Sequence, residues 1–191
     1  MANSYWGMPV SIVSAVTDPI DTDRSTVETI QQMIALARSS ASDPLITSIV
    51  NELLLSLPKN PSHKELARAI YYFVKRKVTF VEDEEILAKQ LGYTDLAHEL
   101  LISPTVLLRM PRPMGDCDDF SMLVASLLCA AQIPVRFVAI AVDPNEQFRF
   151  SHVYTRAYLA DEDRWIALDC SHGSMLGWEK KEKYRIAEFN V

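Results

Sequence analysis

The chain has 191 residues, of which 49% are hydrophobic, and that is enough apolar material for one sizeable core. Its 25 acidic and 19 basic side chains give a net charge of -6, which argues against a surface that neutralises nucleic-acid phosphates. No stretch approaches the roughly 18 apolar residues of a membrane span, the N-terminus lacks the basic start of a secretory signal, and three cysteines are too few for a disulfide framework. We therefore expect a cytoplasmic protein with free thiols, no nucleic-acid partner and no membrane partner.

The N-terminal half of the chain has the patterns of helices. Residues 1–24 show no sustained hydrophobic period, and we interpret them as an N-terminal arm that precedes a single domain over residues 25–191. Three amphipathic helices are predicted next, because apolar residues recur at three- and four-residue spacing behind capping residues, with bounds 25–38, 44–57 and 62–77. Two further short helices are predicted over residues 83–91 and 94–101.

The C-terminal half begins with a longer helix and then changes its period. A central helix is predicted over residues 116–131, because apolar side chains fall on one face at Phe120, Leu123, Val124, Leu127, Leu128 and Ala131. Residues 135–143 are rich in β-branched side chains and predict a buried strand, and residues 150–160 and 164–168 predict a hairpin with a turn between them. Since helices come first and strands afterwards, the sequence indicates an α+β domain.

Cys117 is the first candidate for chemistry, because it lies at the start of the predicted central helix. Unpaired backbone N–H groups and the helix dipole favour an anion there and so lower the pKa of a thiol. Asp116, Asp118 and Asp119 act in the opposite direction as like charges. The sequence alone leaves the net effect on the thiol open.

His152 and Asp169 are the natural companions of a reactive cysteine. A thiol that attacks an amide needs a base that takes its proton and later protonates the leaving amine, and His152 can serve as that base. His152 and Asp169 fall on the two arms of one predicted hairpin, so the fold can place the carboxylate beside the imidazole and orient it. The sequence therefore predicts a catalytic triad of Cys117, His152 and Asp169.

The motifs that carry these residues resemble one known family. They are Gly115-Asp116-Cys117-Asp118-Asp119-Phe120, Ile133-Pro134-Val135-Arg136, Ser151-His152-Val153-Tyr154 and Trp165-Ile166-Ala167-Leu168-Asp169. Over about residues 60–172, they and their order resemble the core of the transglutaminase-like superfamily. The resemblance implies a papain/transglutaminase-like α+β fold, in which a central helix carries the cysteine and packs on an antiparallel sheet that presents the histidine and the aspartate. It also implies acyl transfer without a cofactor.

Two positions depart from the pattern of this family. Gln132 stands where members usually have the glycine that precedes Ile-Pro after the central helix, so a different helix end is expected. Many members have an oxyanion-hole residue upstream of the cysteine. The candidates here are Tyr71, Tyr72, Phe80 and a residue of the insertion at 82–110, without a clear choice among them. Members of similar length are also encoded by tailed phages, so a phage origin and an assembly partner for the arm at residues 1–24 are further expectations.

The predicted activity is acyl transfer on a peptide or carboxamide bond of a protein or peptide substrate, through a thioacyl intermediate. Hydrolysis by a peptidase or amidase is favoured over protein cross-linking, because small microbial relatives are more often proposed as peptidases. The alternative is a catalytically silent module of the same fold that acts in assembly or protein–protein interaction.

Other thiols and a metal site are the competing interpretations. Cys129 and Cys170 are expected to be packing residues, and His172 is expected to be a surface residue of a loop. A metal site built from the aspartates, Cys117 and His152 is disfavoured, because the sequence has no Cys-x-x-Cys or His-x-x-x-His pair.

Overall fold

The computed structural model describes residues 11–13, 22–83 and 99–191, with side chains from residue 23 to 83 and from residue 100 to 191. The helices of this part are α1 Thr22–Ala41, α2 Pro44–Leu55, α3 His63–Lys77, α4 Pro104–Arg109 and α5 Cys117–Ala130. The strands are β1 Ser11–Val13, β2 Thr79–Phe80, β3 Glu99–Leu101, β4 Met114–Gly115, β5 Val135–Ala141, β6 His152–Leu159, β7 Arg164–Leu168 and β8 Arg185–Asn190. None of the described helices is both long enough and apolar enough to cross a membrane.

The predicted helix starts agree with the capping chemistry. The Asp43 side chain caps α2 by accepting the N–H of Leu45 at 2.8 Å. Ser62 and Glu65 form the predicted capping box of α3, because each side chain accepts a backbone N–H from the other residue. The first helix is longer than expected, since it begins at Thr22 and extends to Ala41.

The main sheet has four antiparallel strands in the order β7-β6-β5-β8, which confirms the antiparallel sheet and the predicted hairpin of β6 and β7. Strand β8 is not among the predicted strands. It pairs with β5 at the sheet edge, and its residues alternate between exposed and half-buried positions, so few apolar side chains mark it in the sequence.

The helix predicted over residues 94–101 is wrong for residues 99–101, the part of this segment that the structure describes. Residues Glu99–Leu101 form β3, which pairs antiparallel with β1, with Ser11 opposite Leu101. A short apolar run suits a buried helix or a buried strand equally well, and here a distant partner strand decides between them. Residues 84–98 lie outside the described part, as do residues 1–10 and 14–21 of the predicted arm, so the predicted helix over 83–91 and the domain limits stay predictions.

The helix α5 lies at the centre of the molecule, between the helices α1, α2 and α3 and the main sheet. The predicted apolar face is buried, with Leu123, Val124 and Leu127 fully inaccessible. Met122 and Ala125 are equally buried on other sides of the helix, because neighbours surround it almost completely. Mixed helix and sheet around this helix confirm the α+β fold.

Candidate active site

Cys117 is the first residue of α5, as predicted, and its side chain is half-buried. Asp116 caps the helix, because its Oδ1 accepts the N–H of Asp118 at 3.1 Å. The Cys117 thiol lies 3.6 Å from Oδ1 of Asp118, at a distance where S–H can donate to the carboxylate. The helix cap thus holds the thiol at the end of α5 where backbone N–H groups point outward.

The Cys117 side chain lines a cavity of about 370 Å³ between the start of α1, the start of α5 and the loop that joins β5 to β6. His152 lines the same cavity. The fold therefore brings the predicted nucleophile and the predicted base to one solvent-accessible space.

His152 and Asp169 form the contact that the hairpin predicts, with Nε2 of the ring 2.8 Å from Oδ2 of the carboxylate. Their side chains are 9% and 1% exposed. The register pairs Thr155 with Leu168, so Tyr154 stands opposite Asp169 and His152 is the diagonal neighbour on the same face. The contact follows from the strand register.

The Asp169 carboxylate is held by several donors. Its second oxygen, Oδ1, accepts the hydroxyl of Ser171 at 3.1 Å and the backbone N–H of His172 at 2.9 Å. Burial raises the pKa of Asp169, but the hydrogen bond and the charge of His152 together with these donors outweigh it, so the pKa lies below the usual value. An ionised Asp169 only accepts, so Nε2 of His152 is the donor in this contact.

Asp119 lies close to Cys117 in the sequence, but its side chain points into the core and links two elements. It is fully buried, and its Oδ1 accepts the N–H of Ile102 at 2.8 Å, which ties the end of β3 to the first turn of α5. Burial raises the pKa of Asp119 well above its ordinary value, and the nearby carboxylates of Asp116 and Asp83 raise it further. With its pKa raised, Asp119 ionises less readily and so opposes a negative thiolate less than its position in the sequence suggests.

The Asp119 carboxyl group leaves no room for a side chain at position 115, which explains the glycine there. A Cβ atom on Gly115 would lie 2.2 Å from Oδ2 of Asp119 and 2.6 Å from its Cβ. Only a residue without a side chain allows the strand β4 to pass this close to the first turn of α5. The Gly-x-Cys-x-Asp spacing therefore has a steric reason.

His172 belongs to the site although we predicted a surface position for it. It is exposed, but its ring contacts the ring of His152 edge-on, with 4.7 Å between the centroids, and the ring of Phe80 at 5.1 Å. The sequence signal for it is the turn after Asp169, because an aspartate often accepts backbone N–H groups a few residues further on.

The other two thiols have the packing positions that we expected. Cys170 is 3% exposed and lies in the main core, and burial raises its pKa. Cys129 packs partly against the same core, and burial raises its pKa as well. Both thiols therefore stay protonated at neutral pH.

Tyr71, Tyr72 and Phe80, three of the oxyanion-hole candidates named from the sequence, do not line the cavity of Cys117. Tyr71 is fully buried, and its hydroxyl donates to the carbonyl of Gly173 at 2.8 Å. Tyr72 is 40% exposed on α3, and Phe80 has no polar donor. From the segment 82–110, Glu82 lines the cavity, and residues 84–98 lie outside the described part.

Among solved structures, the chain is similar to a candidate cysteine protease from Cytophaga hutchinsonii, at 15% identity over 82% of this chain and 47% of that one, with a TM-score of 0.49. A candidate protease from Parabacteroides distasonis matches at 14% identity over 70% of this chain and 25% of that one, with a TM-score of 0.46. A protein called a TGase matches at 17% identity over 87% of this chain and 37% of that one, with a TM-score of 0.41. The chain thus spans less than half of the length of each of these three proteins.

Comparison with curated proteins finds no match. The sequence profile of the transglutaminase-like superfamily core, in contrast, matches residues 51–170. The matched range is more than half of the chain, and it contains Cys117, His152 and Asp169. The chain therefore belongs to the transglutaminase-like superfamily.

Proposed function

We propose that the protein is a cysteine-dependent acyl-transfer enzyme with Cys117 as nucleophile, His152 as general base and acid, and Asp169 as the residue that orients the base. The observation that carries the proposal is the 2.8 Å contact of Asp169 with His152, which lines the same cavity as Cys117. A base that is held by a carboxylate and shares a cavity with a thiol at a helix N-terminus has the parts that activate a nucleophile.

The reaction begins when Nδ1 of His152 takes the proton of the Cys117 thiol. The sulfur attacks the carbonyl carbon of a peptide or carboxamide, and the C–N bond breaks as Nδ1 returns the proton to the leaving amine. Water then attacks the carbonyl carbon of the resulting thioester, and its proton passes to Nδ1. The C–S bond breaks and Nδ1 returns the proton to the sulfur, so the carboxylic acid is released and the thiol is restored. The Asp169 carboxylate accepts the Nε2–H of His152 throughout and stabilises the imidazolium.

Hydrolysis is the favoured outcome, with a protein or peptide as the substrate. Hydrolysis requires only that water reaches the thioester, and Cys117 lines a cavity of about 370 Å³, whereas transfer to an amine also requires a groove that binds the acceptor. A catalytically silent module that acts in assembly, for example of a phage particle, is the competing interpretation, and it predicts no special reactivity of Cys117.

Thiol labelling tests the proposal, with half-buried Cys129 and buried Cys170 as internal controls. Iodoacetamide at neutral pH is expected to label Cys117 much faster than Cys129 and Cys170, because burial keeps the latter two protonated. His152→Ala should slow the labelling of Cys117 and lower the turnover of a peptide library by about 100-fold or more, and Cys117→Ala should abolish turnover.

The matched control is Cys129→Ala, which removes a packing thiol and should keep the labelling of Cys117. Site-specific labelling is read by mass spectrometry. Slow and equal labelling of all three cysteines in the unmodified chain would contradict the enzymatic proposal and support the silent module.

A further inference from the structure

The turn that follows β7 is fixed at both ends. The N–H of Gly173 donates to the carbonyl of Asp169 at 3.0 Å, which closes the turn. The carbonyl of Gly173 accepts the Tyr71 hydroxyl at 2.8 Å and the Lys75 ammonium at 2.6 Å, both from α3. A Cβ atom on Gly173 would lie 2.3 Å from the Asp169 carbonyl, so the tight approach requires glycine. These contacts fix the backbone of the turn, and with it the position of His172.

The turn places the ring of His172 over the predicted base. The rings of His172 and His152 meet at 75°, with 4.7 Å between their centroids, and Phe80 contacts the His172 ring on another side. The backbone N–H of His172 is bound to Asp169, as described above. Two imidazoles and one carboxylate thus lie together, and His172 is the member that solvent reaches most easily.

These three side chains have the spacing of a metal-binding set. One ligand atom from each of His152, Asp169 and His172 lies within 4.8 Å of the other two. Zinc binds imidazole nitrogen and carboxylate oxygen at about 2.0–2.2 Å, which puts tetrahedral ligand atoms about 3.4 Å apart. The His152 and Asp169 atoms that contact each other are 2.8 Å apart, which is shorter than this spacing. A shared zinc ion would therefore replace their hydrogen bond and move the two atoms apart by about 0.6 Å.

The chemistry of the side chains also suits a cation. Two imidazoles and one carboxylate are ligand types that zinc accepts, and they lie together here. Three protein ligands leave the fourth tetrahedral position to water.

We propose that His152, His172 and Asp169 form a binding site for zinc that switches the cysteine chemistry off. The inhibitory part rests on the proposed function, whereas the binding part does not. The proposed zinc site requires no ligand from Cys117. It therefore differs from the neighbouring group of Asp116, Cys117 and Asp118, whose ligand atoms also lie within 4.8 Å of one another.

Inhibition follows from the protons of the His152 ring. If zinc binds Nε2, the proton of that nitrogen moves to Nδ1, and Nδ1 can no longer accept the thiol proton. If zinc binds Nδ1, the lone pair of the base is occupied by the metal. Either way the neutral ring gains one Zn–N bond and keeps its single proton, so no other reactant is required, and Cys117 loses its base.

Zinc binding is measured by competition with a chromophoric chelator on the full chain at neutral pH. One zinc ion per chain is expected, and His172→Ala should weaken binding at least about tenfold. His63→Ala is the matched control, because it removes a histidine of α3 that donates no ligand to this site. Circular dichroism of each variant checks that the fold is retained.

The variants separate the proposed site from its neighbour. Binding that is unchanged in Cys117→Ala and weakened in His172→Ala supports the site. Binding that is lost in Cys117→Ala, or unchanged in His172→Ala, overturns it, and so does the absence of zinc binding to the unmodified chain.

The inhibitory part is read separately, as the rate at which iodoacetamide labels Cys117. Zinc is expected to slow this rate in the unmodified chain, and His172→Ala should need at least about tenfold more zinc for the same effect. Zinc binding without a change in a fast labelling rate overturns the inhibitory part. If labelling of Cys117 is slow without zinc, the proposed function fails, and the chelator competition still decides the binding site.

Discussion

Asp119 illustrates how burial changes the role of an acidic residue next to Cys117. In the sequence it is one of three acidic residues that flank Cys117 and oppose ionisation of the thiol as like charges. In the fold it is fully buried, it accepts a hydrogen bond from Ile102, and burial raises its pKa. Its contribution is therefore to join β3 to α5, while Asp116 and Asp118 remain as the acidic neighbours of the thiol.

This residue makes a prediction about stability and pH. The pKa of Asp119 is higher in the folded than in the unfolded chain, so the folded state loses stability as pH rises above about 4, the unfolded pKa. Asp119→Asn keeps the acceptor for Ile102 and cannot ionise. Urea unfolding from pH 5 to pH 8 should show that the advantage of the variant over the unmodified chain grows with pH.

Asp161→Asn is the control for this experiment, because Asp161 is exposed in the turn between β6 and β7. It undergoes the same chemical change without burial. Asp169 does not disturb the comparison, since its lowered pKa confines its own loss of stability to pH values below about 4. If the free energies of unfolding of Asp119→Asn and of the unmodified chain change with pH in parallel, the raised pKa of Asp119 is contradicted.

At the scale of elements, the end of α5 shows how this chain replaces the usual glycine of its family. Gln132 has φ 59°, in the left-handed region, directly after the C-cap residue Ala131. Its N–H donates to the carbonyl of Cys129, and the N–H of Ile133 donates to the carbonyl of Leu128, as in a Schellman motif. The helix end is therefore the one that glycine would form, adopted by a residue with a Cβ atom.

The left-handed conformation at Gln132 predicts a stabilising substitution. A residue with a Cβ atom is strained there by about 1 kcal/mol, so Gln132→Gly should raise the free energy of unfolding by about 0.5–1 kcal/mol. Gln132→Ala keeps the strain and is expected to change it little. Urea denaturation of the three proteins measures the effect, and a glycine variant no more stable than the alanine variant would rule out strain at this position.

At the scale of the whole molecule, the candidate site depends on contacts between layers. The helix α5 contributes Cys117, and the sheet contributes His152 and Asp169. The helix α3 adds the support, because Tyr71 and Lys75 hold the carbonyl of Gly173 in the turn that follows Asp169. The geometry of the site is thus a property of the packed core.

Tyr71→Phe tests this support. The Tyr71 hydroxyl is buried, and burial raises its pKa, so it stays protonated and donates to Gly173. Removing it leaves the carbonyl with Lys75 alone and should lower the free energy of unfolding by about 0.5–1.5 kcal/mol. Tyr72→Phe removes a hydroxyl from the exposed neighbouring residue and should have little effect, so equal losses in the two variants would argue against the role of Tyr71.

Local chemistry explains which elements could be predicted. Ser62 and Glu65 predict the start of α3, and Asp43 and Pro44 predict the start of α2. Two runs rich in β-forming residues, with a polar turn between them, predict the hairpin. Strand β3 was mistaken for the end of a helix, because its residues acquire their structure from pairing with β1. His172 escaped prediction for the same reason, since its ring contacts depend on two strands and on the turn that α3 holds.

The sequence by itself determined the α+β class, the central helix with Cys117 at its start, the hairpin that pairs His152 with Asp169, and membership of the family. Each of these depends on short-range signals, namely caps, hydrophobic period, turn residues and motif spacing. Only the tertiary structure decided that the pKa of Asp119 is raised, that Gly115 must lack a side chain, and that the His172 ring contacts the His152 ring. Those properties arise from burial and from contacts between residues far apart in the chain, and no local pattern records them.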